Sequence, residues 1–378
     1  MSVAFAAGQN GILPDSMIAA LLQQGAIQPS ADLAKDQIQP ASLDLRLGDI
    51  AYRVRASFLP GPRTTVAQRI DEWKLHEISL AHGAVLETSC VYIVPLIEAL
   101  ALPDDIEAVT NPKSSTGRLD VFTRVIADAT RGFDRVGAGY HGPLYAEISP
   151  RTFPILVRRG SRLSQIRFRR GSAGLDVASL RTLHGVEQPV DATADITGGI
   201  VVSVDLSGFA AGSQPPMGQT APIVGFRAKR HTAVVDVESR ARYHVLDFWE
   251  PIQARKEKTL ILDPDEFYIL ASKEAVQVPP DYAAEMVPFD PLMGEFRVHY
   301  AGFFDPGFGY AGAGGSGARA VLEVRSREVP FILEHGQIVG RLVFEKMLKR
   351  PATLYGQGIG SNYQAQGLKL SKHFKYER

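Results

Sequence analysis

The sequence predicts a mainly β protein made of two copies of one domain, and three observations carry that prediction. The 378 residues include 35 glycines and 24 prolines. Between them lie many short runs rich in Val, Ile, Leu, Phe and Tyr, such as VYIVPL, ILVRR, FYIL and GRLVF. Short apolar runs separated by turn residues are the texture of strands joined by tight connections. The third observation is an internal repeat, the signature of a duplicated architecture. Leu86, Tyr92, Ile93, Glu98, Ala99 and Pro103 recur 176 residues later as Leu262, Tyr268, Ile269, Glu274, Ala275 and Pro279. The same spacing relates Glu147 to Glu323, Gly160 to Gly336, and Phe168 to Phe344. Chance supplies one or two such coincidences; it does not keep one register over more than eighty residues.

In chain order, the first element is a helix: Asp15 or Ser16 is the expected cap, MIAALLQQ carries the apolar face and Gly25 closes it. The strands of the first copy follow. A stretch from Gly171 to about Gln219, rich in Gly, Ala, Ser and Thr with one strand-like run, IVVSVDL, reads as the connection between copies. A chain of this length exceeds what one hydrophobic core usually supports. The expected domains are residues 1–180 and 181–378. The polar tail from Gly356 to Arg378 reads as a frayed terminus or as an arm that orders on a ligand or neighbour.

Composition narrows the function. Forty-one basic residues balance forty-one acidic ones, which removes the generic electrostatic case for a nucleic acid polymer or an anionic membrane as partner. The single cysteine, Cys90, permits neither an internal disulfide framework nor a Cys-rich zinc site. The nine histidines show no H-x-x-x-H or H-x-E spacing, so no metal ligands are expected among them. The opening residues lack a basic n-region with a long apolar run, and no apolar stretch reaches membrane-spanning length. A cytoplasmic protein is expected.

Two segments carry candidate chemistry. NPKSSTGRLD, residues 111–120, offers the hydroxyls of Ser114 and Ser115, close approach at Gly117, and positive charge from Lys113 and Arg118. That combination suits phosphate oxygens, although a polar turn between strands uses the same residues. In HYAGFFDPGFGYAGAGGSGARAVLEV, residues 299–324, Asp305, Pro306 and Gly307 signal a hairpin with a Gly-rich extension. On its return strand, alternation sets Glu323 on the face of Val321 and not of Leu322. A solvent-facing carboxylate is one reading; its counterpart Glu147 in the first copy favours a retained role.

IQPASLDLRLG (residues 38–48), PKSSTGRLD, AGFFDPGFG, the VLEV strand and NYQAQGLKLSK (residues 362–372) together resemble the dCTP deaminases of the dUTPase-like superfamily, in their long, two-domain form. The resemblance implies duplicated dUTPase-like (β-clip or distorted barrel) domains with a few short helices. It also implies hydrolytic deamination of dCTP to dUTP and ammonia. It assigns Ser114, Ser115 and Arg118 to the phosphates and the catalytic water, Gln165 to phosphate binding beside the positive charge of Lys113, and Glu323 to catalysis. Ala301, Gly302 and Asp305 would enclose base and deoxyribose, and Tyr363 and Gln366 would fold over the nucleotide. Asn362 stands where many relatives have Lys, and both hairpins carry insertions. A homo-oligomer is implied, with a trimer of two-domain chains as one form, and Mg²⁺ would enter bound through the triphosphate. No zinc is expected, because one cysteine cannot supply the P-C-x-x-C signature of zinc deaminases.

The copies have diverged in complementary ways. The second has PFDPLMGEF in place of the paired serines and Arg341 opposite Gln165, while the first has IADATRGFDRVGAGYHG in place of the compact AGFFDPG hairpin. One composite site is the favoured expectation, with domain 1 holding phosphates and domain 2 the nucleoside. A site within copies of domain 1, with Glu147 as base, is the alternative. Two further activities compete: a dUTP pyrophosphatase or bifunctional deaminase and dUTPase, and a non-catalytic nucleotide-binding regulator.

Overall fold

The computed structural model describes residues 8–191, 193–209, 222–288, 296–299, 302–357, 363–364 and 366–375. The chain is mainly β and forms two units. The first comprises residues 1–173 with Val234–Glu238 and Lys346–Thr353, and the second comprises Gly174–Ala233, Ser239–Glu345 and Leu354–Arg378.

In the first unit, one sheet runs in the order Gly11–Ile12, Ser164–Arg170, Ile106–Pro112, Arg135–Val136, with Leu43–Leu45 also on Ser164–Arg170. A second runs Lys74–Ser79, Ile50–Val54, Val91–Ala101, His141–Pro150, Val121–Ala127, with Ile27–Pro29 on Val91–Ala101. A small third sheet joins Ala84–Leu86 to Ile155–Val157, and Val235–Asp236 adds to it in parallel.

The second unit repeats this plan. Its first sheet runs Ile200–Ser203, Ile338–Lys346, Tyr282–Pro288, Phe303–Phe304. Its second runs Trp249–Gln253, Ile223–Ala228, Phe267–Val276, Ala318–Ser326, Phe296–His299. Thr259–Leu262 pairs with Phe331–Glu334. The repeat reaches atomic detail. Tyr92 OH accepts the N–H of Glu87 at 3.1 Å, and Tyr268 OH accepts that of Asp263 at 3.0 Å. Glu98 accepts the Arg46 N–H, and Glu274 that of Ser203, both at 2.8 Å. These repeated side chains fasten strand ends and edges, which explains why a carboxylate survives at this position in both copies without a catalytic duty.

Several local expectations are refined. The first helix is Asp15–Gln23 with Pro14 at its N-cap and no capping side chain. The expected cap is therefore corrected: Asp15 lies in the first turn, where a carboxylate favours the helix N-terminus, and it accepts the N–H groups of Ser16, Ala352 and Thr353. Gly25 does close the helix, with φ +73. The stretch after Gly171, read from composition as a connection, contains a helix, Val177–Glu187, whose cap is Asp176 on the Ser179 N–H. Leu180 and Leu183 of that helix join the second unit's core with Ile200, Val202 and Leu342. The tail residues described are packed: Tyr363, Leu368, Leu370 and Phe374 are buried, and Phe374–Lys375 pairs in parallel with Tyr243–His244. Among the described residues no helix is long and apolar enough to cross a membrane.

Candidate active site

In the first unit, KSSTGR forms a single helical turn, Ser114–Gly117, between the strands Ile106–Pro112 and Val121–Ala127. The Lys113 carbonyl accepts the N–H groups of Thr116 and Gly117 at 2.8 and 3.0 Å, while the Lys113 N–H donates to Leu163 O at 2.9 Å. Asp120 ends the turn in the left-handed region, φ 54, held by Thr152 Oγ1 at 2.5 Å and by the Arg151 N–H on its carbonyl. Ser115 and Arg118 are buried, Arg118 to 3% exposure. Gln165 is the cross-strand partner of Asp44 on one side and Asn111 on the other, and such partners share a sheet face. Asp44 then pairs with Lys113 and Arg162. Arg162 also binds Asp36 at 2.9 Å and holds its carboxyl below the ordinary carboxylate range. Lys113 and Gln165 are thus gathered around one polar row. Asp44, Asn111 and Arg162 belong to that row and were not singled out in the sequence, although Asp44 stands between two buried leucines in the quoted SLDLRLG run.

The second unit holds the other set. Phe303–Phe304 pairs with Ala284 and Glu285, and Asp305, Pro306 and Gly307 turn the chain. Gly307 (φ +96) has no room for a Cβ, which would stand 2.8 Å from Leu354 Cβ and 2.9 Å from Tyr355 N. On the return strand, Ala318, Ala320, Leu322 and Val324 enter the core, so Glu323 lies on the face of Val321, as alternation predicts. It is not solvated: Glu323 is 4% exposed, and Asp305 is also buried. Glu323 has Ile269 and His299 as cross-strand partners. Gln366 exchanges hydrogen bonds with the Arg319 backbone at 2.8 and 3.0 Å, and Tyr363 OH accepts the Lys372 N–H at 3.3 Å. Gly302 begins the described part of the hairpin, and Ala301 lies outside the described residues.

The first unit's version of this site is built differently. Glu147, 1% exposed, has Ile93 and Arg124 as cross-strand partners. Its Oε1 accepts from Arg124 Nε at 3.1 Å and Nη2 at 2.5 Å, and its Oε2 is buried without a hydrogen-bond partner among the described residues. The guanidinium lies 3.4 Å from the centroid of the Phe133 ring and 4.6 Å from that of Phe122, and its Nη2 donates to Ser57 Oγ at 2.9 Å. Arg124 is therefore held by charge, by two aromatic faces and by a hydroxyl. Val136 pairs with Ala108 as Phe304 pairs with Ala284, so Gly137 occupies the register position of Asp305. The inserted segment after Val54 also reaches this hairpin: Val66 N–H donates to Asp128 Oδ1 at 2.7 Å and Gly61 N–H to Thr130 O at 3.0 Å.

Asp134 of this hairpin makes the first unit's stability pH-dependent. Its Oδ1 accepts the Val125 N–H and the Thr110 hydroxyl, each at 2.8 Å, but burial outweighs these bonds and pushes its carboxyl up to about 6. The folded state thus keeps a proton that the unfolded chain releases near pH 4. This contribution is full below that pH, fades as pH rises, and is gone above about 6. Asp134→Asn should flatten the unfolding free energy between pH 4 and 7, by at most about 3 kcal/mol. An unchanged slope by urea denaturation would assign the dependence elsewhere.

Strand order and the repeated side-chain bonds define a duplicated, mainly β protein of dUTPase-like fold. Comparison with known proteins agrees. Residues 9–172 match the model of the 2'-deoxycytidine 5'-triphosphate deaminase N-terminal domain, and residues 176–374 that of its C-terminal domain. The chain belongs to the 2'-deoxycytidine 5'-triphosphate deaminase family. The crystal structure of 2'-deoxycytidine 5'-triphosphate deaminase from Agrobacterium tumefaciens is 62% identical, with a TM-score of 0.85, over 91% of this chain and 99% of that one. A "dCTP deaminase, dUMP-forming" of Dictyoglomus thermophilum is 33% identical and a "dCTP deaminase" of Haloarcula marismortui 31%, each over 42% of this chain and 79% of the relative. Those two relatives are about one domain long.

Proposed function

We propose that the chain deaminates dCTP: water adds to C4 of the cytosine ring, N3 is protonated, and the C4–N bond breaks to give dUTP and ammonia. Glu323 takes the proton from water, delivers it to N3, and then passes the proton of the new C4 hydroxyl to the departing exocyclic amine, so that C4 becomes a carbonyl and ammonia leaves. Ser114 and Arg118 steady the tetrahedral intermediate. Lys113, Ser115 and Gln165 bind the phosphates, which bring Mg²⁺ with them as part of the substrate. Gly302 and Asp305, with Ala301, border base and deoxyribose, and Tyr363 and Gln366 cover them. We further read the working form as a homo-oligomer, with a trimer of two-domain chains as the form to test by light scattering, and the compartment as the reducing cytoplasm, which suits a protein with one cysteine.

One observation carries the assignment of the base. Of the two carboxylates kept by the repeat, Glu147 spends one oxygen on two hydrogen bonds from the guanidinium of Arg124, and Glu323 is the one that stands on the return strand of the AGFFDPG hairpin. A carboxylate that accepts two charge-assisted hydrogen bonds must break them before it can take a proton from water. Burial of Glu323 beside an apolar hairpin suits a group that both accepts and returns a proton.

Incubation with dCTP and Mg²⁺ should release ammonia and dUTP in equal amounts. Release of pyrophosphate with dUMP would show that dUTP is hydrolysed as well, and tight dCTP binding without turnover would make the chain a regulator. Arg118→Ala should lower kcat/KM for dCTP at least about tenfold, a loss of about 1.4 kcal/mol or more. Equal kinetics in a folded variant would reduce KSSTGR to a structural turn.

A further inference from the structure

The second unit's hairpin is a knot of glycines whose backbone groups converge on one side chain from the tail. Gln364 Oε1 accepts the Gly309 N–H at 3.0 Å, and Gln364 Nε2 donates to Gly307 O at 3.0 Å and to Ala313 O at 3.1 Å. One primary amide thereby satisfies three backbone groups. Gly307 and Gly309 hold left-handed conformations, φ +96 and +64; Gly307 N–H donates to Val278 O and Gly309 O accepts from Gly317 N–H, both at 2.9 Å, and the Gln364 amide adds to these bonds. Gly356 makes room for the amide: a Cβ there would stand 2.8 Å from Gln364 Nε2 and 2.9 Å from Ala313 O.

Neighbouring contacts join the same two pieces of chain. Tyr355 N–H donates to Pro306 O at 2.8 Å, and the Phe308 and Tyr355 rings lie 5.6 Å apart. At its far end the tail is pinned where Phe374 enters a nest of Tyr243, Phe248 and Trp249. Gln364 thus places its amide inside the turn that follows Asp305, between the Tyr355 and Phe374 contacts in sequence.

We infer that Gln364 is a positioning residue: its amide sets the shape of the Gly307–Ala313 turn, so that docking of the tail and shaping of the nucleoside pocket are one event. This rests on the assignment of the hairpin to the nucleoside. Loss of the amide leaves the first unit's phosphate row untouched. The effect should therefore fall on the nucleoside end of the ligand and not on the phosphate end.

The test uses the full chain with Gln364→Met, which keeps length, and Gln364→Glu, which keeps the acceptor for Gly309 N–H but loses both donors. Three readouts are taken: amide hydrogen exchange at Gly309, kcat/KM for dCTP, and the inhibition constant of tripolyphosphate, which lacks the nucleoside. We expect faster exchange at Gly309 in Gln364→Met, at least about a tenfold loss of kcat/KM in both variants, and tripolyphosphate inhibition within about twofold of the parent. Unchanged exchange with unchanged kinetics overturns the role of Gln364. Equal loss of tripolyphosphate binding overturns it too, since the damage is then general. Faster exchange with normal dCTP kinetics instead removes the hairpin from the nucleoside site and leaves the coupling of tail to turn standing.

Discussion

Glu323→Gln should lose about 10²- to 10⁴-fold of kcat for dCTP deamination while dCTP still binds, because the amide keeps the carboxylate's shape and cannot carry a proton. The substitution is mild for the fold. Glu323 stands on the non-core face of Ala318–Ser326, away from Leu322 and Val324, so no apolar packing is removed. Glu147→Gln is the paired control. It breaks the ion pair with Arg124 and leaves a partly exposed guanidinium without its buried anion, which costs some stability. Its turnover per folded molecule should stay near that of the parent. The opposite pattern, with Glu323→Gln active and Glu147→Gln dead, would move the base to domain 1.

Cutting the chain between residues 180 and 181 should abolish deamination in each half. Domain 1 carries Ser114, Ser115, Arg118 and Gln165, and domain 2 carries the hairpin, Glu323 and the tail, so neither half holds a full set of positioned groups. The structure adds a second reason. Val234–Glu238 and Lys346–Thr353 belong to the first unit but lie after the cut. The first half then loses the two bonds from Arg158 to Asp236 at 2.7 and 3.0 Å, the bond from Ser161 to Glu238, and Leu348 from its core. Circular dichroism must show each half folded before its activity is read. Mixing should restore part of the activity, because the missing segments are then supplied in trans. A folded first half that deaminates dCTP alone would contradict the division of labour.

The β class and the repeat were legible because both rest on features that survive drift: turn residues at fixed places, and side chains such as Tyr92 and Tyr268 whose bonds fasten a strand end. The turns at KSSTGR and DPG were legible for the same reason, since both signals are local. What could not be read depends on pairing at a distance. Arg124 and His299 are equivalent across the sheet, opposite Glu147 and Glu323, yet lie 175 residues apart and not 176; one inserted residue hides the correspondence. The Val177–Glu187 helix escaped because the surrounding Gly, Ser and Thr speak against helix while two leucines packed into the second core favour it. Gln364 stood unremarked beside Tyr363 because all its partners are backbone groups, which leave no mark on residue identity beyond the glycines.

If the two copies divide one site between them, each chain should bind one nucleotide. Calorimetric titration of Glu323→Gln with dCTP and Mg²⁺ measures that number directly, because the variant holds the substrate without consuming it. We predict one dCTP per chain, with the same stoichiometry in the double variant Glu147→Gln/Glu323→Gln. Two dCTP per chain would show that each domain keeps its own site and would contradict the account.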